Sequence, residues 1–248
     1  MGCQAHSCDS VPRMRSAIGS GDISRLTAKG RLTRARILEH AAQLIYAHGV
    51  RATNNDAIRA ATGISGSQLT HYFPTKEDLV LGVIDWQAND ILEFHRSEDF
   101  GGFDTIEAFQ RWADFYILSG RPFQNGCSLG SLAGELIKTD LDIHDALASA
   151  FQRWREIFTG GLARMQTLGR LEPSADPVQL ANMLLAAYQG GIMLAQIAQD
   201  IAPLADALNA AVDHLRTYVV SGGWPPPGTL SRNRPTGAGA VQGRCRPT

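Results

Sequence analysis

Cysteine is scarce in this sequence, and neither sign of charge is in clear excess. The 248 residues contain 23 lysines and arginines, 24 aspartates and glutamates, and four widely separated cysteines. Four scattered cysteines do not make a disulfide framework, and they lack the close pairing of a zinc site. The formal net charge of −1 argues against a polyanionic partner only if the charges are evenly mixed along the chain.

Membrane segments and catalytic motifs are also lacking. The longest charge-free stretch, 177–199, is long enough to span a bilayer, but it contains several amide side chains and a Gly-Gly pair. This composition suits a buried helix better, and no apolar leader follows the first methionine. We therefore expect a soluble, cytoplasmic protein without membrane attachment. No phosphate-binding loop, nucleophile elbow after a strand or close histidine pair is present, so we expect no catalytic residue, cofactor or metal site.

The charges are divided between two segments of the chain. Residues 25–76 carry eight basic and two acidic residues, whereas residues 77–220 carry nine basic and twenty acidic ones. A basic segment of net charge +6 beside an acidic body of net charge −11 indicates a polyanion-binding module joined to a second domain. The alternative is a helical protein-interaction module whose basic segment binds an acidic partner.

Apolar residues recur at helical spacing through most of the chain, and alternating strand patterns are absent. We expect helices at 33–48, 54–62, 65–72, 76–97, 104–119, 131–138, 141–168, 174–199 and 201–220. The predicted fold is all-α, with a three-helix head at 29–76 and a helical body at 77–220. Segments 1–28 and 221–248, rich in polar residues, glycine or proline, are predicted to be a disordered arm and a disordered tail.

The spacing within 54–72 is that of a helix-turn-helix. Thr53 is a candidate N-cap of the first helix, Gly63 ends that helix, Ser65 begins the next, and Pro74 ends it. Such a pair of helices allows the second one to enter a DNA major groove. The same spacing also occurs at ordinary corners of helical bundles, so the spacing alone leaves both interpretations open.

Four sequence motifs within 31–80 are more specific than the spacing. They are Thr33-x-x-x-Ile37-Leu38-x-x-Ala41, Gly49-x-x-Ala52-Thr53, Ile58-x-x-Ala61-x-Gly63-Ile64-Ser65 and His71-Tyr72-Phe73-Pro74-x-Lys76-Glu77-x-Leu79. Together they resemble the DNA-binding segment of the TetR/AcrR family of bacterial repressors. The resemblance implies a homodimer that binds a pseudopalindromic double-stranded DNA operator. It also implies that the body at 77–220 is a helical effector-binding and dimerisation domain, and that a small-molecule effector releases the DNA.

The resemblance also implies a DNA-binding surface in the head. The implied contact residues are Arg31, Thr53, Asn54, Asn55, Ser65, Gly66, Ser67, Gln68, Thr70, His71, Tyr72 and Lys76. Within this set, Gln68 is a candidate for a bidentate contact to adenine and Thr70 for a contact to a thymine methyl group. The basic residues Arg25, Lys29 and Arg34, with Arg31, are either an arm that contacts phosphates or a solvated leader.

Aromatic and sulfur-containing side chains in the body predict an effector site. The candidates are Trp86, Trp112, Phe115, Tyr116, Phe123, Cys127, Trp154, Phe158 and Met193. Because small-ligand sites are mostly apolar and no charged residue stands out as an anchor, we expect a mostly hydrophobic effector. Any one of these aromatic residues can equally be a packing residue.

The segment 125–133 resembles a Gly-Cys-x-Leu-Gly element of some TetR-like effector domains, including branches that respond to reactive electrophiles. Its Cys127 precedes a predicted helix, whose dipole favours the thiolate and predicts a lowered thiol pKa. One hypothesis is therefore a redox or electrophile sensor. The alternative is a small buried packing residue, which is the usual role of a free cysteine.

The last two predicted helices, 174–199 and 201–220, are the candidate dimer face. The predicted interface residues are Leu184, Tyr188, Gly191, Leu208, Val212 and Leu215. The adjacent glycines at 190 and 191 permit a close approach of two helices. The alternative is that part of this apolar set forms the core of a single chain.

Overall fold

The structure is a computed structural model and describes residues 26–119 and 126–220. Its α-helices are α1 (Ala28–Ala52), α2 (Asn55–Thr62), α3 (Gly66–Tyr72), α4 (Lys76–His95), α5 (Ile106–Leu118), α6 (Ser128–Leu136), α7 (His144–Thr167), α8 (Pro177–Ala198) and α9 (Ala202–Arg216). Across these two ranges no strand forms, apart from a single antiparallel bridge between Leu171 and Val219. The predicted all-α fold is confirmed. Arg25, Phe123, the tail 221–248 and all but the end of the arm lie outside the described residues.

The head is a bundle of α1, α2 and α3. The Asn54 side chain caps α2 by accepting a hydrogen bond from the Ala57 N–H at 2.9 Å. Gly63 ends α2 in the left-handed region, with φ +69°, and this turns the chain into α3. The buried apolar residues of the bundle include Ile37, Leu38, Ile58, Ile64, Leu69 and Phe73.

The N-terminal basic residues are partly helical. Helix α1 begins at Ala28, five residues earlier than predicted, and Thr27 caps it by accepting a hydrogen bond from the Gly30 N–H at 3.1 Å. Arg34 is half-buried, and its guanidinium carbon lies 5.1 Å from the centre of the Phe73 ring. This cation–π contact gives Arg34 a place in the packing of the head rather than in an extended arm.

The end of α1 corrects one predicted cap. Gly49 interrupts the helix with φ +82° and ψ 162°, but a further turn continues to Ala52. Thr53 is the C-cap of this turn, since its buried hydroxyl donates to the Gly49 carbonyl at 2.9 Å. The predicted N-cap role of Thr53 is therefore wrong, and Asn54 takes it because the side chain of Thr53 is already engaged.

Helix α4 joins the head to the body. Thr75 and Asp78 form a capping box at its start, in which each side chain bonds the other residue's N–H at 3.0 Å. Farther along, α4 packs closely on the head at Gly82. A Cβ at this position would lie 2.9 Å from Leu38 Cδ2 and 3.0 Å from Phe73 Cε1.

The body is built on a core of large aromatic side chains. Its largest fully buried residues are Phe103, Phe109, Trp112, Trp154 and Phe158. A 3₁₀ helix, Glu98–Phe103, was not predicted. It contains two glycines with φ of +55° and +73°, and it inserts its phenylalanines into the core.

Helices α8 and α9 pack on each other within one chain, and this corrects the predicted dimer face. The six predicted interface residues Leu184, Tyr188, Gly191, Leu208, Val212 and Leu215 are all buried in the single chain. At Gly191 a Cβ would lie 3.1 Å from the Cα of Leu204 on α9. Helical spacing predicts that a face is buried but not which chain buries it, so the sequence could not separate core from interface.

Helix α8 is long and apolar enough to cross a membrane by length and composition. Its most apolar 18-residue window has a mean hydropathy of 1.3, and 39% of that window is buried in the fold. A core helix of a soluble protein passes the same test. On its other face, Met193, Leu194 and Ile197 are exposed by 55%, 52% and 74%.

Candidate nucleic-acid interface

Helix α3 presents a polar face to the solvent. The side chains of Ser67, Gln68, Thr70 and His71 are exposed, whereas Leu69 is buried against the rest of the head. A helix with its side chains is about 10–12 Å across, and a B-DNA major groove is about 12 Å wide. The exposed face of α3 can therefore reach base edges in a major groove.

The side chains on α3 are already hydrogen-bonded within the helix. Gln68 Oε1 accepts the Ser65 N–H at 3.0 Å, and Ser65 Oγ accepts the Gln68 N–H at 3.2 Å. A bidentate contact to adenine uses both the oxygen and the nitrogen of the Gln68 amide, so the Gln68 oxygen would have to share or give up its bond to the Ser65 N–H. The Thr70 hydroxyl donates to the Gly66 carbonyl at 3.1 Å, and the exposed side chain remains a candidate for a thymine methyl contact.

A groove of about 450 Å³ lies between the start of α2 and the start of α4. Asn54, Asn55 and Lys76 line it with exposed side chains, and Lys76 Nζ donates to the Thr53 carbonyl at 3.1 Å. Free N–H groups at a helix start and a nearby lysine are the groups that bind a phosphate. Thr53 itself is only 4% exposed, so its side chain does not belong to the predicted contact surface.

Two further predicted contacts meet where α1 begins and α3 ends. Tyr72 is half-buried, and its hydroxyl lies 3.6 Å from the position of a Cβ at Gly30. Arg31 is exposed and donates from Nη1 to the Leu26 carbonyl at 2.7 Å. Both side chains are consistent with phosphate contacts beside α3, because each keeps a polar group near the surface of the head.

The aromatic residues predicted for the effector site form one cluster around Tyr188. Ring centroids are 4.5 Å apart for Tyr116 and Tyr188, 5.5 Å for Trp154 and Tyr188, and 5.0 Å for Trp112 and Phe158. Trp112, Trp154 and Phe158 are at most 1% exposed. The fold thus brings these predicted residues together, but as a packed core.

The other predicted effector residues are less deeply packed than this cluster or line an opening beside it. Phe115 is 44% exposed, and Trp86 is half-buried on α4. Cys127 and Met193 instead line an opening of about 430 Å³ between α6 and α8. The opening is also lined by Gly130, Ser131, Gly134, Gln189, Gly190, Ile192 and Gln196.

Cys127 is the N-cap of α6, which begins at Ser128, three residues before its predicted start. Its sulfur accepts the Gly130 N–H at 3.3 Å and the Gln189 Nε2–H at 3.4 Å. Burial nevertheless raises the pKa of the thiol and outweighs these hydrogen bonds. The expectation of a lowered pKa is therefore wrong, because burial opposes the thiolate more strongly than the helix start favours it.

His95 also belongs to the aromatic core, although the sequence did not predict it there. Its Nδ1–H donates to the Ile91 carbonyl at 2.8 Å, and its Nε2 accepts the Trp112 Nε1–H at 3.1 Å. Burial lowers the pKa of His95 to about 4 against the opposing effect of the Ile91 carbonyl, so the imidazole is neutral near pH 7. The nearby Trp154 has a buried Nε1–H that finds no hydrogen-bond partner among residues 26–119 and 126–220. No periodic signal in the sequence distinguishes His95 from an exposed helical histidine.

Metal ligands do not converge in the part of the chain that the structure describes, where no three His, Cys, Asp or Glu side chains are grouped.

The two parts of the chain each match a family model of known proteins. Residues 37–83 match the family model described as "Bacterial regulatory proteins, tetR family", and residues 104–211 match "Tetracyclin repressor-like, C-terminal domain". An uncharacterised HTH-type transcriptional regulator from the lacX 3′ region of Lactococcus lactis subsp. lactis is 27% identical over 192 residues. The alignment covers 75% of this chain and 93% of that protein.

Solved structures of two regulators share the fold. A TetR transcriptional regulator from Chloroflexus aurantiacus J-10-FL is 25% identical with a TM-score of 0.64, over 78% of this chain and 98% of its own. A TetR-family regulator from Cytophaga hutchinsonii is 18% identical with a TM-score of 0.68, over 79% of this chain and 100% of its own. The matching domains and the helix-turn-helix surface together show that the chain is a DNA-binding transcriptional regulator of the TetR family, and not an enzyme.

Proposed function

We propose that this regulator is a cytoplasmic, ligand-responsive repressor that binds a pseudopalindromic operator as a homodimer. A small, mostly hydrophobic effector would release it from DNA. The observation that carries the proposal is the exposed polar face of α3 within the basic segment 25–76, of net charge +6, beside a body of net charge −11. Phosphates attract the head and repel the body, which favours binding of the head to DNA.

The outer face of α8 supports the homodimer. Met193, Leu194 and Ile197 expose apolar area there, and a Cβ at Gly190 would meet no atom of the described residues within 4 Å. Contiguous exposed apolar surface marks an interaction site, and a two-fold interface uses the same patch on both subunits. In this proposal α8 pairs with the partner's copy of the same face. The two heads would then enter successive major grooves, about 34–36 Å apart.

The opening between α6 and α8 supports an effector site in the body. Its volume of about 430 Å³ lies within the range of small-ligand sites, about 300–1,000 Å³. Residues that line it include Ile192 and Met193, and the aromatic core lies behind Tyr188. An effector that binds more tightly to a head spacing unsuited to DNA would shift the population away from the operator.

Selection of duplexes from a random-sequence pool, followed by titration at several salt concentrations, tests the proposal. We expect a palindromic consensus and a steep decrease of log K with log salt, because phosphate contacts release counterions. The Lys76→Ala variant should lower this slope by about 1, since one phosphate contact is removed. Lys138→Ala, which removes an exposed charge from the body, should leave the slope unchanged. Binding that is indifferent to DNA sequence would count against the operator-binding repressor.

A further inference from the structure

The break in α1 places two backbone amides at the start of a new helical turn. At Gly49 the chain leaves helical geometry, so the N–H groups of Val50 and Arg51 begin a new turn. Val50 is buried, at 3% exposed. A buried N–H without a hydrogen-bond partner is costly, so this turn needs an acceptor from elsewhere in the fold.

Glu135 of the body supplies that acceptor. Its Oε1 lies 2.6 Å from the Val50 nitrogen and 3.4 Å from the Arg51 nitrogen, and it belongs to α6, 84 and 85 residues along the chain. A carboxylate at the start of a helical turn makes charge-assisted hydrogen bonds, which are stronger than neutral ones. Glu135 therefore forms a polar contact between the body and the head.

Gly49 makes room for this contact. A Cβ at Gly49 would lie 3.1 Å and 3.3 Å from the two carboxylate oxygens of Glu135, and the φ of +82° disfavours any other residue. The break and the acidic side chain are thus matched to each other. Neither feature alone would satisfy the buried amide of Val50.

The contact leads directly to the candidate phosphate site. The Gly49 carbonyl accepts hydrogen bonds from the N–H and the hydroxyl of Thr53, at 3.2 Å and 2.9 Å. The Thr53 carbonyl in turn accepts from Lys76 Nζ at 3.1 Å, and Asn54 caps α2 in the next position. A displacement of the Val50 turn would therefore move the residues that begin α2.

The other end of α6 borders the candidate effector opening. Cys127 caps this end, and its sulfur is bonded to Gln189 of α8. With nine residues, α6 is about 13 Å long and connects the opening to Glu135 as one short helix. Glu135 and Gln87 line a cavity of about 90 Å³, so side chains at this junction have space to rearrange. The buried Oε1 of Gln87 has no hydrogen-bond partner in the described part of the chain.

We propose that Glu135 is a positioning residue for DNA binding, and that its hydrogen bonds to Val50 and Arg51 couple α6 to the helix-turn-helix. The effector part of this coupling rests on the proposed function, but the contact itself does not. If the state of α6 biases the head, then DNA bound to the head must bias α6 by the same free energy. The coupling can therefore be measured with DNA alone.

The first experiment measures amide hydrogen exchange at Val50 and Arg51 by NMR, without DNA. In Glu135→Ala we expect exchange at Val50 to be about ten- to a hundredfold faster than in the wild type, because a charge-assisted bond is lost. Glu135→Gln, which keeps an acceptor oxygen, should give an intermediate rate. Glu156→Ala removes an exposed carboxylate of α7 and should change nothing. Equal exchange in the wild type and Glu135→Ala would overturn the proposal.

The second experiment repeats the exchange by mass spectrometry with a duplex selected by the wild-type protein. We expect DNA to protect the peptide 53–76 in every variant. DNA should also slow the exchange of α6 in the wild type and in Glu156→Ala, but not in Glu135→Ala. If the contact were merely structural, the effect of DNA on α6 would be the same in all three proteins. Equal protection of α6 in wild type and Glu135→Ala contradicts the coupling. If DNA does not protect the peptide 53–76 in the wild type, the proposed operator binding is contradicted. The contact between Glu135 and Val50 is then judged by the first experiment, which uses no DNA.

Discussion

Cys127 and His95 show how burial controls the chemistry of single residues in the body. Cys127 stands at a helix start, which favours a thiolate, yet burial raises its pKa. His95 accepts a hydrogen bond from the Trp112 indole and is held neutral, with a pKa of about 4. In both cases the cost of a charge away from water exceeds the local electrostatic gain.

The neutral state of His95 predicts a pH-dependent stability. Its pKa is about 6.5 in the unfolded chain and about 4 in the fold, so the unfolded state binds more protons between these values. Its contribution is therefore fully present above pH 6.5 and decreases as the pH falls towards 4. Between pH 7 and pH 5 we expect this residue to lower the free energy of unfolding by about 2 kcal/mol.

Urea unfolding at pH 7 and pH 5 measures this effect. His95→Phe should be less stable at pH 7, since the Trp112 N–H loses its acceptor, but it should lack this part of the pH dependence. The exposed His144 provides a control, and His144→Gln should retain the wild-type pH dependence. The same slope in His95→Phe as in the wild type would show that His95 is not the titrating group.

At the scale of elements, the glycines show where helices approach other parts of the chain. Helix α7 contains two adjacent glycines in opposite environments. A Cβ at Gly160 would meet no atom within 4 Å, whereas a Cβ at Gly161 would collide with the Phe103 carbonyl. The close approach of the 3₁₀ helix Glu98–Phe103 to α7 therefore depends on one glycine of the pair.

Substitution of these two glycines should have opposite effects on stability. Gly160→Ala should raise the free energy of unfolding by about 0.5–1 kcal/mol, because alanine is the better helix former. Gly161→Ala should lower it by about 1–3 kcal/mol or more, because backbone must move to admit the methyl group. Thermal or urea unfolding of the two variants measures both. Equal effects would contradict the described packing of the 3₁₀ helix against α7.

At the scale of the whole molecule, α8 has two apolar faces with different roles. One face is buried against α9 in the single chain, and the other exposes Met193, Leu194 and Ile197. The proposed second subunit would cover the exposed face. Operator binding by two heads then depends on this interface, because one head alone contacts only half of a palindromic site.

A charge on the outer face of α8 should separate the proposed dimer. Ile197→Glu should shift the protein from dimer to monomer at micromolar concentration, as measured by sedimentation, and should weaken operator binding. Leu168→Glu changes an apolar residue that is 49% exposed at the end of α7, and it should leave the protein dimeric. An Ile197→Glu variant that remains dimeric would place the interface elsewhere.

The sequence by itself determined the helical class and the helix-turn-helix of this protein. Helix α2 ends at Gly63 as predicted, because glycine adopts the left-handed conformation there at little cost. Helix α4 begins after Thr75, whose capping box with Asp78 is a local signal. Such features depend on neighbours within one turn of the chain. The helix boundaries that they set within 31–80 could therefore be predicted without a structure.

Only the tertiary structure decided which residues face one another across the chain. Leu184 and Leu208 have the spacing of an interface, but the fold buries them in one subunit. The partner of the Val50 amide is Glu135, 85 residues away, and no local pattern joins them. Long-range packing selects among faces that are equivalent in the sequence, because helical periodicity specifies that a residue is buried and not which surface covers it.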